Sequence, residues 1–178
     1  MFDKLIEVVV TFIHDFLPFK IVDQWEEGVQ LRYGKFRKVV SPGLVWKIPF
    51  FEQVLTTPVI TQTVNLKPQT VTTLDEKSVV LSSIVRYHIF DVKRFLLGVM
   101  HANDVLVDTT QGIIRDFVET TRWEDLIDLS NIVTPEVNDQ VEKWGIKVEQ
   151  TSFPDLAEIK TYRLITDCSK NQSVIPHE

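Results

Sequence analysis

With 178 residues, 44% of them hydrophobic, the chain has enough apolar material for one ordinary domain with a small subdomain, which excludes gross disorder. Its 19 basic and 25 acidic residues leave a net charge of -6 with no dense Lys/Arg stripe, so nucleic acid is not an expected partner. The one cysteine, Cys168, excludes an intrachain disulfide and fits a reducing, cytosolic setting.

Residues 1–20 are rich in Phe, Val, Ile and Leu but carry Asp3, Lys4, Glu7, His14 and Asp15. The longest apolar run there is Val8 to Val10, far short of the about 20 residues that a spanning helix needs. Asp3 and Glu7 occupy the part of a secretory signal that should be basic, so the segment is expected to stay on the mature protein. At about 100° per residue, Asp3, Lys4, Glu7, Thr11, His14 and Asp15 fall within one arc of roughly 120°. The opposite face carries Phe2, Leu5, Ile6, Val9, Phe12, Ile13, Phe16 and Leu17, flanked by Val8 and Val10. This spacing predicts an amphipathic helix that stops before Pro18. Its apolar face has two candidate destinations, the domain's own core or the headgroup and acyl boundary of a bilayer. The broad, terminal, Phe-weighted arc favours the bilayer. Ten apolar side chains at about 1 kcal/mol each sum to roughly 10 kcal/mol, against the about 8 needed for micromolar attachment. The polar arc is more acidic than basic, so the helix gains nothing from anionic lipid.

From Ile21 to Phe90 the chain reads as short strands, with turn signals at Tyr33-Gly34, Ser41-Pro42-Gly43, Lys67-Pro68 and Asp75-Glu76. Trp46-Lys-Ile-Pro-Phe-Phe51 supports two readings that can coexist. One is a core strand with Leu44, Trp46 and Ile48 inward. The other makes Trp46, Phe50 and Phe51 a second membrane contact. The clearest strand runs from Ser78 to Phe90, with Val79, Leu81, Val85, Tyr87 and Ile89 on one face. After Asp91 the period becomes helical, first over Val92 to Met100 and then from Asp104 to about Thr120. Asn103 or Asp104 is the expected N-cap, and Val105, Leu106, Thr109, Ile113, Asp116 and Phe117 the expected inner stripe. Thr121-Arg-Trp-Glu124 has capping-box spacing, and Thr134-Pro135 is expected to open the next helix, with Val137, Val141 and Trp144 buried. Gly145 should end it. Ile146, Val148 and Gln150 then alternate as a returning strand, and a short helix is expected from Asp155 to about Asp167. Strands, then helices, then a returning strand indicate α+β architecture. The expected division is a helix over 1–20, a domain over 21–154 that is β-rich over 21–90 and mixed over 91–154, and a C-terminal helix and tail over 155–178.

No catalytic constellation emerges: GxSxG, HExxH, GxxxxGK[ST] and GxGxxG are absent. His14, His88, His101 and His177 lack metal-ligand spacing, and Cys168 has no local basic neighbour except Lys170. Glu26-Glu27 and Glu124-Asp125 read as solvated faces or caps, and the Asn171-Gln-Ser173 sequon as accidental. The expectation is a protein without catalysis, metal or cofactor.

Four stretches resemble the stomatin, prohibitin and flotillin superfamily, also called Band 7 or SPFH domains, and stomatin-like members most closely. They are Glu27-Gly-Val-Gln-Leu-Arg-Tyr-Gly-Lys-Phe36, Ser41-Pro-Gly-Leu-Val-Trp-Lys-Ile-Pro-Phe-Phe51, Ser78-Val-Val-Leu-Ser-Ser-Ile-Val-Arg-Tyr87 and Trp144-Gly-Ile-Lys-Val-Glu149, in family order over roughly 21 to 160. The resemblance implies a peripheral or monotopic membrane protein with its domain on the cytoplasmic side. It also implies a scaffold that oligomerises, organises a membrane patch and modulates membrane proteases or channels without catalysis. The alternative is a soluble adaptor whose N-terminal apolar face binds a partner protein. Family members typically continue into a long Ala/Glu-rich helix, whereas here about two heptads follow Pro154, so small homo-oligomers are expected in place of a large ring. The membrane-proximal cysteines typical of stomatins are also absent.

Overall fold

The structure, a computed structural model, describes residues 17–160. Within it, eight strands, three α-helices and two short 3-10 turns follow the expected order of strands, helices and a returning strand. The predicted N-terminal helix lies outside the described residues, apart from Leu17, which is half-buried just ahead of the first strand.

The β-rich half comprises β1 (Phe19–Val22), β2 (Glu26–Arg32), β3 (Lys35–Val40), β4 (Gly43–Trp46) and β5 (Glu52–Pro58). β1 and β4 pair as an antiparallel ribbon, and β3, β2 and β5 form an antiparallel sheet with β2 in the centre. Tyr33 (φ 51°) and Gly34 (φ 74°) are both left-handed, the two-residue hairpin that matches strand twist. The ribbon lies over one face of the sheet, where Val22, Val40, Val45 and Val54 form a small core. Lys20 Nζ donates to the Val54 carbonyl at 3.0 Å beside it.

Long strands β6 (Gln62–Thr72), β7 (Ser78–Ile89) and β8 (Ile146–Glu158) make the second antiparallel sheet, in the order β6-β7-β8. Val79, Leu81, Val85, Tyr87 and Ile89 all point into the main core, as alternation predicts, and Ser83 shares their face. Helix α1 (Val92–Gly98), capped by Asp91 Oδ1 accepting from the Arg94 N–H, packs chiefly against β2 of the first sheet, while α2 (Ala102–Thr120) and α3 (Leu129–Val141) cover that face. Gly145 (φ 79°) reverses the chain after α3 and a 3-10 turn, Glu142–Trp144.

Several expectations are corrected. Lys67-Pro68 is not a turn but a bulge within β6, between Leu66 and Gln69. β6 is an edge strand, where a proline removes no ladder bond. Pro154 sits likewise at a β8 bulge opposite Ser83, so β8 runs on to Glu158 where a helix was expected from Asp155. The rest of that stretch, beyond Lys160, lies outside the described residues. Gln150 is exposed because a second bulge lets Val148 pair with Tyr87 and Gln150 with Arg86, which turns Thr151 inward.

The α2 N-cap is His101, in the left-handed region with no side-chain cap bond. Asn103 instead accepts from the Tyr87 hydroxyl at 2.9 Å, which ties the helix start to β7. The inner stripe is Ala102, Leu106, Thr110, Ile114 and Val118, rotated from the expected one, with Ile113 and Phe117 at its edge and Asp116 exposed. Adjacent apolar pairs allow either register, and the Thr110 hydroxyl is buried at no loss because it donates to the Leu106 carbonyl at 2.7 Å. Thr121 to Glu124 leads into a 3-10 turn, Trp123–Asp128, without a side-chain cap. Pro135 lies inside α3. Leu129 and Val133 extend the buried stripe of Val137 and Val141 backwards, so the helix starts earlier and tolerates one missing bond. Trp144 is only half-buried.

Candidate functional site

At the Arg32 end of the β3-β2-β5 sheet, the end of β4 and the segment joining it to β5 present an exposed cluster of aromatics. Trp46 is 67% exposed, Phe50 82% and Phe51 51%. The reading that buried Leu44, Trp46 and Ile48 is overturned: all three are exposed, and Val45 is the β4 residue that points inward. The reason is pairing parity. Phe19 lies opposite Trp46 and Ile21 opposite Leu44, so these four share the ribbon's outer face, while Val22 and Val45 take the inner one. The Phe19 and Trp46 rings meet edge-on at 6.3 Å.

The turn is held at both ends. The Lys47 N–H donates to the Pro18 carbonyl at 2.8 Å, which brings the chain just upstream of β1 alongside it. The Glu52 and Phe51 N–H groups donate to the Ile48 carbonyl at 2.9 and 3.3 Å, and Phe50 takes a left-handed φ of 67°. Across the hairpin, the Tyr33 N–H donates to the Phe51 carbonyl at 2.9 Å, with their rings 5.3 Å apart.

Beneath the aromatics lies a polar hub that sequence reasoning missed. The Glu52 side chain is almost wholly buried, at 1% exposure. One oxygen accepts from Gln30 Nε2 and from the Ile48 N–H, both at 2.9 Å. The other meets Arg37 at 2.5 Å and Arg32 at 3.5 Å. Gln30 Nε2 also donates to the Trp46 carbonyl at 2.9 Å. Arg37 reaches the carboxylate because β3 is bulged there: Gln30 pairs with Lys38 and Leu31 with Phe36, leaving Arg37 as the extra residue. Burial alone would raise the Glu52 carboxyl, but the Ile48 N–H and the charges of Arg37 and Arg32 outweigh it and hold the group below the ordinary glutamate range.

The sign of the pH effect follows. A carboxyl with a depressed folded pKa contributes stability above its unfolded pKa and loses it as pH falls through the folded value. Glu52→Gln is therefore expected to cost about 1–3 kcal/mol at pH 7. It should also narrow the drop in urea midpoint between pH 7 and pH 3. Part of that drop should remain, because Asp75, held low by the Thr73 hydroxyl, and Glu149, held low by His88, carry the same sign.

The other candidates do not converge. Among the described residues no group of three or more His, Cys, Asp or Glu side chains could hold a metal ion. His88 Nδ1 lies 2.9 Å from Glu149, which also accepts from Thr61, and His101 caps α2. His14, His177 and Cys168 lie outside the described residues. A cleft of about 390 Å³ between α2 and α3 has an apolar floor of Ile113, Phe117, Ile132 and Val133 and a rim of Asp116, Glu136 and Gln140. Of the eight predicted membrane-facing residues, Leu17 alone falls within the described ones; Phe2, Leu5, Ile6, Val9, Phe12, Ile13 and Phe16 do not. Among the described residues no helix is long and apolar enough to cross a membrane.

Comparison with known proteins adds an independent line. The profile described as SPFH domain / Band 7 family matches residues 20–163. A Methanothermobacter thermautotrophicus protein described only as uncharacterized is 26% identical over 98% of this chain and 58% of its own length. Protein HflK of Vibrio cholerae is 30% identical over 69% of this chain and 31% of its own. Human stomatin-like protein 3 is 23% identical over 84% of this chain and 54% of its own. The chain thus spans between about a third and three fifths of these relatives.

Proposed function

The chain belongs to the SPFH domain / Band 7 family, and from that premise we propose that it is a non-catalytic scaffold held on a bilayer surface. In this reading residues 2–17 lie in the interface with Phe2, Leu5, Ile6, Val9, Phe12, Ile13, Phe16 and Leu17 toward lipid. Trp46, Phe50 and Phe51 form the second contact. The domain faces the cytoplasm, associates with further copies, and organises a membrane patch or modulates membrane proteases or channels.

The observation that carries the reading is the bond from the Lys47 N–H to the Pro18 carbonyl. It places the point where the N-terminal segment meets the domain beside the exposed aromatic turn, so both apolar features can reach one plane. Of the turn's aromatics, Trp46 carries a ring N–H as a polar edge, which favours that interfacial depth. A turn braced by Glu52 also has little conformational freedom left to lose on insertion.

Flotation with protein-free liposomes tests the proposal against the adaptor alternative, in which the N-terminal face binds a protein groove. The full chain should float, and a chain starting at Leu17, which keeps β1, should float much less. Equal behaviour of the two would remove the helix from the mechanism.

A further inference from the structure

We infer that the aromatic turn carries its own anionic-lipid site: a collar of Arg32, Lys35, Arg37 and Lys47 that takes phospholipid phosphates while Trp46, Phe50 and Phe51 enter the acyl boundary. The inference rests on the proposed membrane attachment and goes beyond it by assigning the headgroup charge.

The chain as a whole is acidic, at -6, so lipid charge would be expected to repel it. The charge is not evenly spread. Arg32 ends β2 and Lys35 begins β3 opposite it, immediately flanking the Tyr33-Gly34 tip. Arg37 is bulged toward the same end, and Lys47 follows Trp46 directly. Among the described residues, the carboxylate that pairs with these cations is Glu52, which is buried beneath the turn. Arg32 and Arg37 share it and remain 43% and 46% exposed, so their outer N–H groups face solvent. The Lys35 and Lys47 ammonium groups have no partner among the described residues. The acids Asp23, Glu26 and Glu27 lie at the far end of β2, about 20 Å away at 3.3 Å per residue. The small sheet is therefore positive where its aromatics are exposed and negative at the opposite end.

Exposed aromatics with cations set just behind them match the two depths of a membrane interface, ring systems at the acyl boundary and cations among the phosphates. Each basic residue near an anionic surface contributes about fivefold in partition. The predicted N-terminal helix supplies no such preference, since its polar arc is acidic overall. The aromatic turn thus supplies charge recognition and the helix the neutral, apolar attachment.

The test is partition of the full-length protein onto phosphatidylcholine vesicles, with and without about a fifth phosphatidylserine, in low and high salt. The wild-type chain should bind the anionic vesicles at least tenfold more tightly in low salt and lose that margin in high salt. Lys35→Glu with Lys47→Glu should erase the margin and leave binding to neutral vesicles, because neither side chain supports the Glu52 hub. Lys67→Glu with Arg122→Glu changes net charge equally on the other sheet and its helices and should preserve it. Equal binding of wild-type protein to both vesicles would overturn the site while leaving membrane attachment intact. A margin that survives in the Lys35/Lys47 variant, or falls equally in both variants, would overturn its assignment to this turn. Binding to neither vesicle would overturn the attachment itself, and the site with it.

Discussion

Gly145→Ala is expected to destabilise the domain by roughly 3 kcal/mol or more, lowering the thermal midpoint by about 6–12 °C for a chain of this size. Two costs coincide at this position. Its φ of 79° is strained for any residue with a side chain, and a Cβ built there would lie 2.3 Å from the Asp91 carbonyl oxygen. The neighbour cannot move aside easily. The Phe90 and Asp91 N–H groups donate back to the Gly145 carbonyl at 3.0 and 3.3 Å, so the strand-to-helix corner after β7 and the helix-to-strand corner before β8 are one knot.

Two other glycines separate the costs. Gly34 has φ 74° with nothing within 4 Å of its absent Cβ, so Gly34→Ala should show only the conformational part, about 1–2 kcal/mol. Gly28 has no left-handed strain, but a Cβ there would meet the Leu55 carbonyl oxygen at 2.2 Å within the central strand, so Gly28→Ala isolates the steric part. Urea or thermal denaturation should rank Gly145→Ala as worse than Gly34→Ala. Similar losses for those two would mean that the corner relaxes freely and that the Asp91 contact carries no weight.

What could be read from the sequence was governed by range. β7 announced itself because one buried face and strict alternation leave no second register. Tyr33-Gly34 and Gly145 were legible because left-handed backbone has few candidate residues. Prolines were misread for a consistent reason. Pro68 and Pro154 look like punctuation, but whether a missing N–H matters depends on which strands lie alongside, and both fall on edge strands. Pro135 was misread because Leu129 and Val133 bury against the sheet and override a local start signal. The aromatic turn was found through its composition, yet its inward and outward faces were reversed, because Val45 is fixed inward by pairing with β1 and not by its own neighbours. The Glu52 hub had no sequence signal. Its partners Gln30, Arg32 and Arg37 are 15 to 22 residues away, and the β3 bulge that aims Arg37 follows no visible motif.

Phe12→Asp or Ile13→Asp is expected to weaken liposome binding by about a hundredfold while the domain keeps its thermal midpoint. Each residue lies within the predicted apolar arc, so the change removes a buried side chain and places a charge at interfacial depth. A loss of about 2.7 kcal/mol corresponds to that factor, within the range for losing one large apolar contact and adding a partly solvated carboxylate. Thr11→Asp is the matched control: it adds the same charge one residue away but inside the polar arc, where it stays in water. Sedimentation with neutral vesicles keeps headgroup charge out of the comparison. The aromatic turn gives a second reference. Phe50→Asp should weaken binding as well but by less, because it removes one of three ring contacts and leaves the helix attached. Equal binding by the Phe12, Ile13 and Thr11 variants would show that residues 2–17 do not present the predicted face to lipid. A Phe50 variant that lost as much as Phe12→Asp would instead make the turn the principal anchor.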